Sequence, residues 1–125
     1  FYKAGGKIAL GTDAGTPFNY HGENAQELRY MVDNGIAPID ALRFGTSAAA
    51  DLLRLDDRGI LREGLAADML IVRGDPTADI SMAADKANHL AVVKNGTLIN
   101  TSADSAILPD ITRHRGPQMA AASLF

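Results

Sequence analysis

The sequence predicts an α/β protein, because a short apolar run is followed first by helical periodicity and then by short strand-like runs. Residues 7–10 are mostly apolar, too few for a helix and bounded by glycines, which favours a buried strand. From residue 23 the apolar positions recur at helical spacing, whereas no long helical period is visible after residue 55. We therefore predict that residues 1–55 combine one strand with helices and that residues 56–101 form short strands.

Three helices are predicted in the first half of the chain. The first is expected to end at Gly35, and Pro38 suits the first turn of the second. The third, over residues 48–55, is rich in alanine and can be capped by Thr46 or Ser47. The apolar faces of the first two helices consist of Ala25, Leu28, Met31 and Val32, and of Ile39, Leu42 and Phe44.

Three strands are predicted in the second half. Residues 68–73 form an apolar run that ends at a Gly-Asp-Pro sequence, which is typical of a strand end. Residues 89–94 and 97–100 are two further runs joined by Asn95-Gly96, a strong hairpin signal. Residues 102–125 show no periodicity and are assigned as a C-terminal tail.

The composition indicates one ordinary globular domain. Hydrophobic residues make up 46% of the 125 residues and charged residues 22%, and the formal net charge is −3. A net negative charge does not provide the excess of positive charge that is typical of proteins that bind nucleic acid or an anionic membrane surface. The absence of cysteine excludes disulfides and thiolate chemistry. No apolar stretch approaches the ~20 residues of a membrane span, and the first residues show no charged-then-apolar signal-peptide pattern. A cytoplasmic location is favoured, although the sequence does not tell whether a signal peptide lies upstream.

Asp13 is the residue that physical reasoning favours most strongly for chemistry. It follows the predicted strand at residues 7–10, and in barrels and open α/β sheets ligands collect at that carboxyl end. A carboxylate there can ligate a metal or accept a proton from an attacking water. The alternative is that the Asp13 side chain caps the turn in which it lies.

Two further interpretations of the glycine-rich loop at residues 11–22 are open. Its glycines could let backbone N–H groups bind an anion such as phosphate, although the loop lacks both the P-loop and the dinucleotide patterns. His21 could contact a substrate or orient a catalytic carboxylate, or could be an ordinary surface residue. We expect His89 and His114 to be packing or solvated residues, and Asp68 to be a hydrogen-bond acceptor.

A complete catalytic centre is not visible in this sequence. A catalytic zinc needs about three protein ligands, and the chain offers one persuasive candidate, or two if His21 is counted. No serine lies in the sequence context of a nucleophile elbow. A metal site that includes Asp13 would therefore draw its other ligands from elsewhere.

Three motifs in order resemble the carboxyl-terminal part of the amidohydrolase superfamily. They are GTDAG at residues 11–15, HGENA at residues 21–25 and REGLAADMLIVRGDP at residues 62–76, accompanied by VKNG at residues 93–96. The resemblance covers roughly residues 5–100. It is strongest to imidazolonepropionase-like and Xaa-Pro dipeptidase (prolidase)-like members, and it is specific for the superfamily rather than for one substrate.

This resemblance implies a metal-dependent hydrolase of carbon–nitrogen bonds, built on a TIM barrel with a small β-sandwich. Asp13 matches the aspartate that closes the eighth barrel strand, which in the family ligates the metal and carries a proton from the attacking water to the leaving nitrogen. His21 matches a histidine of prolidase-like members, which implies a substrate contact. The implied cofactor is Zn²⁺, as one or two divalent ions, and the implied substrate is a small amide or dipeptide-like molecule. Residues 60–100 resemble the returning strands of the sandwich.

The family's other metal ligands, a His-x-His pair, a bridging lysine and two further histidines, belong upstream of the matched region and are not in this chain. The chain, which opens at Phe1, is thus expected to be a C-terminal barrel fragment whose partner is the missing N-terminal part of the barrel. Alone, it is expected to be inactive and to form homo-oligomers, because a strand taken from a barrel has unpaired edges. A non-catalytic assembly piece and a small anion-binding α/β domain are the alternatives.

Overall fold

The computed structural model describes residues 1–101, so the predicted C-terminal tail and His114 lie outside the described residues. The elements, in chain order, are α1 (Gln26–Asp33), α2 (Pro38–Gly45), α3 (Ser47–Leu53), β1 (Met69–Val72), α4 (Ser81–Ala84), β2 (His89–Lys94) and β3 (Thr97–Thr101). Short 3₁₀ turns lie at Tyr2–Ala4 and Lys86–Asn88. This mixture confirms the α/β class. None of the helices in this part of the chain has the length and hydrophobicity needed to span a bilayer.

Helices α1 and α2 are separated at the positions that the sequence predicts. Gly35 follows the end of α1 with φ of 89°, and its N–H donates to a carbonyl of the last turn at 2.9 Å. Pro38 occupies the start of α2, where its missing N–H costs no hydrogen bond. The Ala37 N–H before it donates to Tyr2 Oη at 3.3 Å, and that hydroxyl donates in turn to Asp40 Oδ2 at 2.7 Å. The N-terminal segment is thereby attached to the start of α2.

Helix α3 differs from its prediction at both ends, since it spans Ser47–Leu53 rather than residues 48–55. Neither of the two predicted capping side chains bonds to its first turn. The Thr46 hydroxyl donates instead to Leu42 O at 2.8 Å, because a threonine side chain can reach back one turn along the preceding helix. Arg54 ends α3 in the left-handed conformation, with φ of 57°.

The predicted strand at residues 7–10 is not a strand in the described structure. A strand requires backbone hydrogen bonds to a neighbour, and residues 1–101 supply no neighbouring strand to this segment. The Leu10 N–H donates instead to Phe44 O at 2.8 Å, which attaches the segment to the end of α2. The barrel that the resemblance implies is therefore not seen within these residues.

Strands β1, β2 and β3 form an antiparallel sheet in that order. Strand β1 is one residue shorter at each end than predicted, and its Ile71 lies opposite Ala91, which is buried. The turn between β2 and β3 consists of Asn95 and Gly96, with φ of 48° and 75°. Two left-handed residues give a turn whose twist matches that of the flanking strands. The predicted hairpin is confirmed.

The buried core joins the helices to the segment that precedes the hairpin. Ala41 and Leu42 of α2 pack with Ile80 and Ala83 of the α4 region, and none of these four is more than 7% exposed. Helix α4 was not predicted, because four residues are too few to display a helical period. The partly buried side chains that complete this core are Leu28, Met31, Val32 and Ile36. The core therefore includes residues from both halves of the sequence.

Candidate functional site

The candidate site lies in the loop over residues 11–25, which leads into α1. Asn19 closes this loop, since its N–H donates to Thr16 O at 3.1 Å and its carbonyl accepts the Gly15 N–H at 2.8 Å. The Asn19 side-chain amide also donates to Thr12 O. Sequence reasoning missed Asn19, although asparagine in a glycine-rich segment commonly bonds to the backbone and could have served as the signal.

Asp13 presents its carboxylate to solvent from this loop. Its φ is 50°, a left-handed conformation that aspartate adopts more readily than most residues. The local turn is bridged by the Thr16 hydroxyl, which donates to the Asp13 carbonyl at 3.4 Å. Within residues 1–101 the Asp13 carboxylate itself forms no hydrogen bond or ion pair, so it does not cap the turn and is available to a ligand.

The glycine N–H groups that an anion would need are partly used within the loop. The Gly15 N–H is donated to Asn19, and the Gly22 N–H is donated to Asn24 Oδ1 at 3.1 Å. A backbone donor that already has a partner is not free to bind phosphate. The loop geometry therefore favours a segment closed on itself over the anion cradle that its glycines allow.

The His21 ring lies against Gly15. Gly15 follows Asp13 by two residues in the sequence. Its side chain is exposed, and no hydrogen bond joins it to the Asp13 carboxylate among the residues that the structure describes. The fold thus brings both predicted site residues into one loop without direct contact between their functional groups.

Two cavities open beside this loop. One, of about 510 Å³, is lined by residues 15–21. The other, of about 190 Å³, lies towards α1, where its lining includes Glu23, Glu27 and Tyr30. Asp13 lines neither of the two. Within the described residues, this loop is therefore bordered by open grooves rather than by an enclosed pocket, and the exposed Asp13 carboxylate is not part of their lining.

The segment over α4 and the 3₁₀ turn after it contacts both the start of α1 and the loop. Gln26 Nε2 donates to Ala84 O at 3.3 Å, across 58 residues of sequence. Lys86 Nζ lies 3.2 Å from the position that a Cβ on Gly22 would take. Contacts between segments so far apart leave no local pattern, which is why sequence reasoning did not anticipate them.

Asp13 fits one ligand position of a divalent metal site, because its carboxylate oxygens have no other partner among residues 1–101 and carboxylate oxygen is a common zinc ligand. Within residues 1–101, no group of three or more His, Cys, Asp or Glu side chains comes together that could hold a metal ion. Further ligands to a metal at Asp13 would come from outside this part of the chain.

Asp68 has a structural environment. Its carboxylate accepts bonds from the Asn95 N–H at 2.8 Å, from Lys94 Nζ at 2.9 Å and from Arg58 at 3.2 Å. The Asn95 and Lys94 bonds, in that order, hold the pKa of Asp68 below its ordinary value. Its predicted role as a hydrogen-bond acceptor is confirmed.

His89 is half-buried, and its Nε2 lies 2.8 Å from the Ala83 carbonyl of α4. This position agrees with the packing role expected for it.

Comparison with known protein families decides where this arrangement belongs. The sequence model of the amidohydrolase family matches residues 2–99, which is most of the chain. The chain belongs to the amidohydrolase family. Asp13 and His21 both lie inside the matched region, and the resemblance identified from the sequence motifs is confirmed.

Solved structures similar to this amidohydrolase chain include prolidase-like enzymes. A Xaa-Pro dipeptidase with bound methionine in the active site is 41% identical (TM-score 0.72), covering 79% of this chain and 23% of that one. A. niger ochratoxinase is 32% identical with a TM-score of 0.70, and the match covers 80% of this chain and 23% of that one. A putative prolidase from Bifidobacterium longum is 28% identical with a TM-score of 0.71, and the match covers 88% of this chain and 28% of that one. The amidohydrolase chain therefore spans about a quarter of the length of these structures. A search of curated proteins gave no significant match.

Proposed function

We propose that this chain supplies part of the active site of a metal-dependent hydrolase that cleaves carbon–nitrogen bonds in small amide or dipeptide-like substrates. The proposal depends on one observation: the Asp13 carboxylate is exposed and has no partner among residues 1–101, inside the region that matches the amidohydrolase family. The similar structures include a Xaa-Pro dipeptidase and a putative prolidase, which supports an amide or peptide bond as the target.

Asp13 acts in this proposal both as a metal ligand and as a proton carrier. A divalent ion, with Zn²⁺ expected, supplies Lewis acidity that lowers the pKa of the attacking water and polarises the scissile carbonyl. Asp13 accepts the proton of that water at a carboxylate oxygen and donates it to the leaving nitrogen, so that the amine departs neutral. No bond within residues 1–101 competes for the Asp13 oxygens, so they would be available to hold the metal and to accept the proton.

His21 contacts the substrate in the same proposal. Its imidazole can donate or accept a hydrogen bond at a polar group of the substrate, and it lines the open groove beside the loop. Substrate selection then depends on other strand-end loops as well, because pockets of barrel enzymes are built from several such loops.

The remaining metal ligands and the neighbouring strands come, in this proposal, from the rest of the barrel. Two observations support that partner: the chain spans about a quarter of the similar structures, and residues 7–10 have no strand neighbour within residues 1–101. We therefore propose that the complete active site exists only in the assembled barrel, meaning this chain together with the remaining barrel strands. The 125-residue chain alone is then inactive.

A second candidate function, a non-catalytic assembly piece, is favoured by a separate surface. A groove of about 570 Å³ lies between residues 5–9 and α3. One of its lining residues is Leu52, which is 71% exposed. Apolar side chains so exposed in a groove mark a surface suited to packing against another segment.

The catalytic proposal is tested by Asp13→Asn in the assembled barrel. Asparagine preserves the shape of the side chain but cannot carry the proton, so kcat on an amide or dipeptide substrate should fall about 10²–10⁴-fold. Bound metal should fall as well, because one anionic ligand is lost. Asp33→Asn is the matched control, since Asp33 is an exposed carboxylate at the end of α1, and it should change neither quantity. Near-wild-type kcat in Asp13→Asn would rule out the proton-carrying role.

A further inference from the structure

The ring of His21 occupies the space that any side chain at residue 15 would need. A Cβ placed on Gly15 would lie 2.9 Å from His21 Nε2, 3.5 Å from Cε1 and 3.9 Å from Cδ2. A carbon atom 2.9 Å from a ring nitrogen overlaps with it, so a substituted residue 15 and the imidazole cannot both keep their positions. The contact therefore depends on glycine at this position.

The backbone of the loop explains why these two residues meet. The Gly15 N–H donates to Asn19 O and the Asn19 N–H donates to Thr16 O, so residues 15–19 form a tight turn. This turn reverses the chain and returns His21 to Gly15. The outer edge of the ring, which carries Nε2, then faces Gly15. Because backbone hydrogen bonds close the turn, the ring can leave this position only by changing rotamer or by opening the turn.

We propose that Gly15 is a positioning residue, whose missing side chain allows the His21 imidazole to sit where it contacts the substrate. This inference rests on the proposed function, in which His21 is the substrate contact and Asp13 carries the proton. A methyl group at residue 15 displaces the ring, because the three atoms nearest to its position all belong to the His21 imidazole and none to Asp13. Substrate binding is therefore impaired more than proton transfer.

Backbone strain at Gly15 is a separate effect that needs its own control. Gly15 has φ of 106°, a conformation that an L side chain adopts only with strain. Gly64 has a similar φ of 87° and no atom within 4 Å of its Cβ position. Gly64→Ala thus introduces comparable strain without a ring to displace, which makes it the matched control for Gly15→Ala.

The contact itself is tested by NMR on the 125-residue chain, without any assay of activity. In the wild type, nuclear Overhauser effects should connect the His21 ring protons to the Gly15 α protons, with the ring signals assigned by their loss in His21→Ala. Gly15→Ala should shift the His21 ring resonances, and Gly64→Ala should leave them unchanged. A wild-type spectrum without these effects overturns the proposal even if Gly15→Ala fails to fold.

The consequence for function is tested by a double-mutant cycle in the assembled barrel. Gly15→Ala should raise KM about tenfold while kcat changes less than about threefold, since a small displacement of a binding group weakens substrate binding first. In the His21→Ala background the same substitution should change KM less than about twofold. An equal rise in both backgrounds overturns the proposal, because it would reflect strain alone. A wild-type barrel without hydrolase activity would instead refute the proposed function, and the NMR result would still report on the contact.

Discussion

The Asp68 carboxylate accepts a 2.8 Å hydrogen bond from the backbone N–H of Asn95, 27 residues further along the chain. The adjacent Gly96 N–H donates to Ala67 O at 3.0 Å. Both residues of the hairpin turn are therefore attached to the residues that precede β1. Lys94 and Arg58 add charged contacts to the same carboxylate, so that one side chain links the hairpin, β1 and the turn after α3.

Asp68→Asn should lower the free energy of unfolding in a pH-dependent way. The folded-state pKa of Asp68 is held below its ordinary value of 3.8, so its contribution is present above that value and is lost as the pH falls through the lower, folded-state pKa. The stability difference between wild type and variant should be constant above about pH 5 and should shrink in more acidic solution. Urea unfolding across this range measures it. Asp56→Asn, at an exposed residue without a side-chain hydrogen bond in the described part of the chain, should show no such trend.

Leu42→Ala should destabilise the fold substantially. Leu42 is 4% exposed and packs with Ile80 across the junction of the two halves of the chain, and truncating a buried leucine costs about 2–5 kcal/mol. Leu52→Ala, at a residue 71% exposed, should stay within about 0.5 kcal/mol of wild type. Urea unfolding at a protein concentration where the chain is monomeric compares the two. A loss below about 1 kcal/mol for Leu42→Ala would mean that the junction is not packed as described.

Removing metal should abolish hydrolysis by the assembled barrel. Chelation followed by metal analysis should show that activity falls with metal content, and adding Zn²⁺ back should restore it, because the attacking water is no longer activated without a Lewis acid. The 125-residue chain alone should not retain stoichiometric zinc on gel filtration, since Asp13 offers a single ligand. Full activity in protein shown to be free of metal would contradict the proposed metal dependence.

Leu52→Glu should reduce the self-association expected of the isolated chain. Leu52 lines the groove beside residues 5–9, and a buried charge without a partner would oppose packing of another segment there. Leu53 is 66% exposed but does not line that groove, so Leu53→Glu is the matched control. Light scattering should show a smaller average mass for Leu52→Glu than for Leu53→Glu. Equal masses would place self-association on another surface.

The sequence predicted correctly those helix ends and turns that are set by the backbone preferences of a single glycine, proline or asparagine. Gly35 ends α1, Pro38 begins α2, and Asn95-Gly96 forms the hairpin turn, because the conformational preferences of these residues act regardless of distant contacts. The capping prediction at Thr46 was wrong, because its hydroxyl donates to Leu42 O of the preceding helix and forms no bond to the first turn of α3.

Elements that form only through contact with a distant segment could not be predicted from the sequence. Residues 7–10 have the composition of a strand, but strand formation depends on a neighbour that residues 1–101 do not supply. Helix α4 is recognisable only through its packing against α1 and α2, because four residues carry no period of their own. The predictions of Asp13 as metal ligand and of His21 as substrate contact stay predictions that the proposed experiments test.

The sequence by itself determined the family, through three motifs in order, together with most of the helices and the hairpin, all of which depend on neighbouring residues. Only the tertiary structure decided that the Asp13 carboxylate has no partner within residues 1–101, that His21 rests on Gly15, and that Asp68 holds the hairpin turn. The physical reason is that these contacts depend on how the chain folds back on itself. Groups with no fixed spacing in the sequence are brought within hydrogen-bond or van der Waals distance only by the packed structure.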